Sequence, residues 1–222
     1  MSTLSDARQL RNLTGEKLLK QIRRYHQKRL FISAGFLLLF AGATAFLTWR
    51  IGCAGLAGLL PCLCCACLAG YRLLNLLHPE KSLLFRKYGT PDTVAEMIAA
   101  DAADIFFENR KMIVSQHFLL KKNNPESLMR FEWILLAYIR HSGAAPLPRG
   151  IFLAAHDCWG SRQFYPFAVG EQQIFKPEIL LDKIKKNAPG VQIGSSAEHF
   201  AYAKSHRRKL PEAPQSGKRN NE

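Results

Sequence analysis

The chain has 222 residues, 31 Lys+Arg against 17 Asp+Glu, a formal net charge of +14 and six cysteines; its mean hydropathy is -0.09. The charge is unevenly placed: residues 1–29 hold eight basic and two acidic side chains, residues 78–222 hold 21 and 15, and residues 30–77 hold only Arg50 and Arg72. Forty-eight residues with two charges argue against a plain soluble enzyme and a small disulfide-stapled secreted domain, and they confine long disorder to the ends.

Residues 6–29 read as a basic juxtamembrane helix, with Lys17, Lys20, Arg24 and Lys28 on one stripe and Leu18, Leu19 and Ile22 on another. Such a segment suits an anionic leaflet, where each basic residue contributes about 1 kcal/mol.

Leu30 to Thr48 carries no charge and, at a helical rise, covers roughly 28 Å, close to the hydrocarbon thickness of a bilayer. A second apolar stretch runs from Ile51 through Gly70, with Leu73–Leu77 trailing into the interface. Residues 30–77 therefore read as a two-helix transmembrane hairpin with its turn at Trp49-Arg50. The interface residues are Arg23, Arg24, Lys28 and Arg29 before it, Trp49 at the turn, and Tyr71 and Arg72 after it. Basic flanks at both outer ends place the N- and C-termini in the cytoplasm, a cell-membrane protein of two spans. A cleaved signal peptide would not carry so long a basic region followed at once by a second span.

Ala54, Gly58, Cys62, Ala66 and Gly70 form an i, i+4 stripe of small residues, matched by Ala41 and Ala45 on the first span. Such stripes let backbones approach closely; packing within the hairpin is the preferred use and a homo-oligomer the other. Five cysteines fall in this stretch: Cys53, Cys62, Cys64, Cys65 and Cys67. Their CxxC spacings invite a metal, but thiolates must be charged to bind one and the run has no His or carboxylate, so packing is preferred and no metal is assigned. Palmitoylation at Cys67 is a third option.

Residues 78–103 read as a connector. His78-Pro79 ends the span's helix, and a helix opens with Thr90 as N-cap and Pro91 at N1, running to about Ala103. From 104 to 200 the period changes to short strands at 111–115, 118–120, 131–139, 150–156 and 162–168, with turn material at 122–126 and a loop holding Gly143, Pro146 and Pro148. Asp157–Ser161 is the turn of the last hairpin, and Pro166 marks an edge or a bulge. Residues 176–187 return to helix, and 201–222 read as a basic mobile tail. The fold class is thus α+β: a transmembrane helical hairpin followed by a small antiparallel-sheet domain with a C-terminal capping helix.

The order of two spans, KYG-x-P-x-x-V, KMIVSQHFLLKK, FEWILLAY, a hairpin, a helix and NAPGVQIGSSAEH resembles a family of uncharacterised bacterial two-pass membrane proteins. Their cytoplasmic part is similar to a pleckstrin-homology-like (PH-like) module. Pro189, Ile193, Gly194 and Glu198 match that family's post-helix motif, while Gly190 stands where an aromatic is common. The resemblance covers residues 30–200 and brings no catalytic residue with it.

For chemistry, His117, His141, His156, Asp157, Cys158, Glu132 and Asp182 are the available groups. His156-Asp157-Cys158 suggests Cys–His catalysis, but neighbours on a strand point apart and the triplet reads as a hairpin turn. His117 reads as a partly buried structural residue within a strand pair. No phosphate loop, dinucleotide fingerprint or HExxH occurs, so no enzyme activity and no cofactor are expected. Arg110, Lys111, Lys121 and Lys122 are the candidate cations for an anionic lipid head group. The preferred expectation is a membrane-anchored, non-catalytic module for protein binding, with the lipid bilayer as its other partner and lipid head-group binding as the alternative. Nucleic acid is set aside, because the positive excess splits between a membrane flank and a large domain.

Overall fold

The computed structural model describes residues 7–52, 59–109, 111–142, 150–167 and 176–209. The chain divides into two compact units, one made of Glu16–Ser82 and the other of the residues up to Gly15 together with those from Leu83 onward.

The first unit is helical. Helix α1 (Ala7–Arg11), which belongs to the second unit, ends in a turn closed by the Leu13 N–H on the Leu10 carbonyl, and α2 then runs unbroken from Gly15 to Ile51, within the first unit from Glu16 onward. The basic segment and the first apolar stretch are therefore one helix, because no Gly or Pro lies between Glu16 and Ser33 to interrupt it. The expected turn at Trp49-Arg50 is also displaced: both residues are helical, and α2 ends beside Gly52, whose positive φ of 72° suits a left-handed cap. Helix α3 spans Leu59–Leu77, after which His78 and a Pro79–Lys81 3-10 turn close the unit.

Both helices are long and apolar enough to cross a membrane. They run antiparallel, since His26 approaches Tyr71 and Arg72 while Thr44 Oγ1 lies 3.8 Å from Cys62 Sγ. Of the small-residue stripe's described members, only Cys62 faces the first helix. Cys62 is half-buried, but Ala66 and Gly70 are exposed, and a Cβ on Gly70 would meet nothing within 4 Å. Cys62, Cys65, Ala69 and Arg72 turn inward instead, at spacings of three and four that follow the helical pitch more closely than a strict four. Ala54 and Gly58 lie outside the described residues, as does Cys53.

The second unit is α+β. Helix α4 (Leu83–Tyr88) leads through Gly89, at φ 106°, to α5 (Pro91–Asp101), whose N-cap Thr90 accepts the Thr93 N–H as expected. Arg11 of α1 donates to the carbonyls of Ala102 and Ala103 at 3.2 Å, satisfying acceptors that the end of α5 leaves open.

A four-stranded antiparallel sheet follows, in the order β1 (Phe107–Glu108), β2 (Met112–Val114), β3 (Phe118–Lys121), β4 (Asn124–Arg130). The second sheet has the order β7 (Arg162–Pro166), β6 (Gly150–Asp157), β5 (Ile134–Ser142), β8 (Gln192–Ile193), antiparallel except for β8 on β5. Phe131–Trp133, expected as strand, is a 3-10 turn between the two sheets. Strand β4 begins within the residues expected as turn, at Asn124–Glu126; Pro125 cannot donate to a ladder, and β4 tolerates it as an edge. Pro166 likewise ends an edge strand, as expected.

Strand alternation sorts the core. Met112, Val114, Leu119 and Met129 of the first sheet meet Ala137, Leu153, Ala155 and Tyr165 of the second, and Leu180 and Ile184 of α6 (Pro177–Asn187) close the cluster. The opposite face of the first sheet buries Ile113, Leu120 and Leu128, and α4 lies against β4. A further helix, α7 (Ala197–Ser205), packs Ala203 against Leu136, Tyr138 and Ala154 on the outer face of the second sheet. Helix α7 thus continues past the expected boundary at 200 and the Arg208 N–H donates to the Cys158 carbonyl at 2.6 Å, while the rest of the expected tail, 210–222, lies outside the described residues. Ile193 of the motif lies in β8, and Gly194 follows it at φ 120° with its N–H on the Ala137 carbonyl.

Candidate functional site

Three polar clusters stand out in the α+β unit. The first joins α4 to the β6–β7 hairpin. Lys87 and Asp157 form an ion pair with side chains only 4% and 0% exposed, and Lys87 also donates to Ser161 Oγ at 2.5 Å. The other Asp157 oxygen accepts the N–H groups of Trp159 at 3.1 Å and Ser161 at 2.7 Å, so the carboxylate shapes the hairpin turn while neutralising the lysine. The ammonium sits 5.5 Å from the Trp159 ring, Trp159 stacks on Trp133 at 4.2 Å, and Tyr88 meets both rings edge-on. Burial pushes the Tyr88 phenol well above its ordinary range.

His156, Asp157 and Cys158 do not converge. His156 and Asp157 are consecutive in β6, so their side chains leave by opposite faces: Asp157 toward Lys87, His156 toward Tyr138 and Phe200. Cys158 is buried in the turn, and burial, then the Asp157 carboxylate, hold its thiol above the usual value and away from the reactive thiolate.

The second cluster is centred on Asp101 at the end of α5. Its carboxylate accepts from Ser115 Oγ, from the His117 N–H at 3.1 Å, and lies 2.6 Å from His117 Nδ1. Serine and histidine both bind the carboxylate, so the His117 Nδ1 is engaged by Asp101 and not by the Ser115 hydroxyl. His117 lies in the turn between β2 and β3 with its side chain 64% exposed, rather than partly buried within a strand pair. Beside it Lys183 donates to Gln116 at 2.6 Å and lies over Phe106, and burial, then Lys186, lower its amine below the ordinary lysine value.

The third cluster lies on the outer face of the second sheet. Arg162 donates to the Tyr138 hydroxyl at 2.5 Å and stacks on Phe164 with its guanidinium carbon 4.5 Å from the ring centre, while Arg140 approaches the same ring at 5.6 Å. His156, Tyr138 and Phe200 complete an aromatic group beside them, and the Arg207 side chain lies against Gly160. Burial first, then Arg162 and Arg207, push the His156 imidazole down to about 4, which keeps it neutral. Sequence reading missed this face because its members are spread over β5, β6, β7 and α7; the alternation of Tyr138-Arg140 and Arg162-Phe164 was the available signal.

Of the candidate lipid cations, Lys111 and Lys122 are neighbours, the Lys122 N–H donating to the Lys111 carbonyl at 3.0 Å. Lys121 donates to Gln163 at 2.8 Å and lies over Tyr165, Lys122 bonds Glu108 at 2.5 Å, Lys111 is exposed, and Arg110 is outside the described residues. Comparison with known proteins adds no assignment to this geometry: no family model matches the chain, and no curated protein or solved structure does.

In the helical unit Arg23, Arg24, Lys28 and Arg29 are exposed, and the Arg72 guanidinium lies 5.6 Å from Tyr25 and 5.5 Å from Tyr71. At the other end Arg50 lies over Trp49 and Phe46. The CxxC pairs are distributed around α3, with Cys62 and Cys65 half-buried and Cys64 and Cys67 exposed. Among the described residues no group of three His, Cys, Asp or Glu is placed to hold a metal.

Proposed function

We propose that this protein is a membrane-anchored, non-catalytic interaction module, in which the α2–α3 hairpin spans the cell membrane and a PH-like cytosolic domain is offered to a protein partner. The observation that carries the anchor is the exposure of apolar side chains on both helices, including Phe31 at 70%, Leu38 at 75%, Trp49 at 78% and Leu60 at 68%. Leaving such surface in water would cost about 2 kcal/mol per side chain, whereas a bilayer receives it at no such cost. A core helix of a soluble protein would bury these groups, yet only 6% of each apolar window is buried. Tyr25 and Trp49 lie 24 residues apart on α2, about 36 Å, which suits aromatic residues at the two membrane interfaces. The cationic flank Arg23–Arg29 supports cytoplasmic termini.

The order of strands β1–β4, then β5–β7, then α6 on the shared core supports the PH-like reading. The non-catalytic reading rests on Lys87, Asp157, Ser115 and Cys158 being taken up by turns, ion pairs and burial. Lys121 and Lys122 being already engaged favours a protein partner over a lipid head group at the first sheet. Two experiments test this: alkaline extraction of native membranes, and protease treatment of intact spheroplasts. Full-length protein recovered in the alkaline-soluble fraction, or cleavage of the 83–209 region from outside, would refute the anchor or its orientation. Chemical cross-linking in native membranes that captures no protein would remove the partner.

A further inference from the structure

The third cluster brings like charges together without a counter-charge. Among the described residues Arg140, Arg162 and Arg207 have no carboxylate within ion-pair distance, whereas Lys87, Lys122, Arg130 and His117 of the same unit each have one. The two sheet arginines share one ring, Phe164, with their guanidinium carbons 4.5 and 5.6 Å from its centre. The like charges repel one another there, and a bridging anion would relieve that repulsion.

The arrangement is also preorganised. Phe164 beneath and the Tyr138 hydroxyl at 2.5 Å fix the Arg162 fork, and this one contact leaves most of its five N–H donors free. Ala154, opposite Phe164 on β6 and buried, is a small residue at the middle of the face. His156 beside it has a buried Nε2 with no hydrogen-bond partner. A neutral imidazole can donate or accept there, and its depressed titration reports the positive potential of Arg162 and Arg207 in addition to burial.

We infer that the outer face of β5–β6–β7 binds a phosphate monoester, held by the guanidiniums of Arg140 and Arg162, with Arg207 and His156 at its rim. A planar fork donating two parallel N–H groups matches two phosphate oxygens, and a second fork reaches the third; a single carboxylate would leave the second arginine unpaired. The phosphate source is the head group of a membrane lipid or a soluble phosphate ester. The site stands whether or not the helices cross a membrane, and it lies on the opposite sheet from Lys121 and Lys122.

The test uses full-length protein with 15N-labelled arginine and follows the Nε–H resonances of Arg140 and Arg162, assigned by their loss in Arg140→Gln and Arg162→Gln. Glycerol 3-phosphate is titrated against protein in neutral detergent, with glycerol as control. In parallel, the protein is placed in discs of phosphatidylcholine with or without a phosphatidylinositol phosphate. Saturable shifts with glycerol 3-phosphate identify a soluble ester as a sufficient ligand; shifts only in the phosphoinositide discs identify a lipid head group. Either single substitution should weaken binding about tenfold or more, Arg162→Lys should recover only part of it, and Lys122→Gln should leave it unchanged. Arg140 and Arg162 are exposed, so both variants should keep the wild-type Trp fluorescence. No saturable shift in any arm, or wild-type binding by Arg140→Gln and Arg162→Gln, overturns the site.

Discussion

Replacing Lys87 by Met keeps most of the side-chain volume and removes the ammonium from a position only 4% exposed. Asp157, with no exposed side-chain surface, would keep the N–H groups of Trp159 and Ser161 but lose its only cation among the described residues. Removing one partner of a buried pair costs about 3–5 kcal/mol, and the two remaining backbone donors favour the lower end, about 3 kcal/mol. For a unit of this size that is a fall of about 10 °C in Tm. Unfolding followed by Trp fluorescence reads the change locally, because Trp133 and Trp159 stack beside the pair. The double variant Lys87→Met/Asp157→Asn should recover most of the loss, since an uncharged amide can still accept from the turn. A Lys87→Met midpoint within about 2 °C of wild type, or a double variant at the sum of the singles, would refute the argument that this pair is a buried, coupled clamp.

Three further outcomes follow from the same geometry. His156 titrates near 4 when folded against 6.5 ordinarily, so the unfolded chain takes up the proton first. Stability is therefore complete above about pH 6.5 and declines as pH falls toward 4, by about 1–2 kcal/mol after discounting a half-exposed ring; His156→Gln should flatten the slope between pH 6.5 and 5, and an unchanged slope would contradict it. Thr90→Ala removes the cap on α5 and should cost about 1 kcal/mol in denaturant unfolding, while Thr90→Ser should restore it. Cys158, buried with its thiol held protonated, should resist a thiol reagent at pH 8 until the unit unfolds, and labelling at the rate of a free thiol would show that the turn opens.

Much of the architecture was legible from local signals. The near absence of charge from 30 to 77 marks the two long helices, the Thr90-Pro91 pair starts α5, and β-branched and aromatic runs mark β2, β3, β5, β6 and β7. The misreadings arose where local preference is weak or overruled. Trp49 and Arg50 interrupt apolarity without opposing helix, so α2 continues to Ile51 beside Gly52. Asn124 and Pro125 signal a turn, yet a place at the sheet edge admits them to β4. Ser196 is an N-cap, its hydroxyl accepting the His199 N–H at 3.2 Å, but α7 was hidden by a weakly apolar pattern that becomes useful only against Leu136, Tyr138 and Ala154.

By itself, then, the sequence determined where the uncharged segment lies, which residues can start and stop helices, and which runs favour strands, because these depend on neighbours within a turn or two of chain. Only the tertiary structure decided that Lys87 meets Asp157 across 70 positions, and that Arg140 and Arg162 share the Phe164 ring. Contacts at such separations arise from the pairing of β5, β6 and β7 and from helices covering the sheets. Strand alternation turns that pairing into chemistry, sending Asp157 to a buried lysine and His156, its neighbour, to the arginine face.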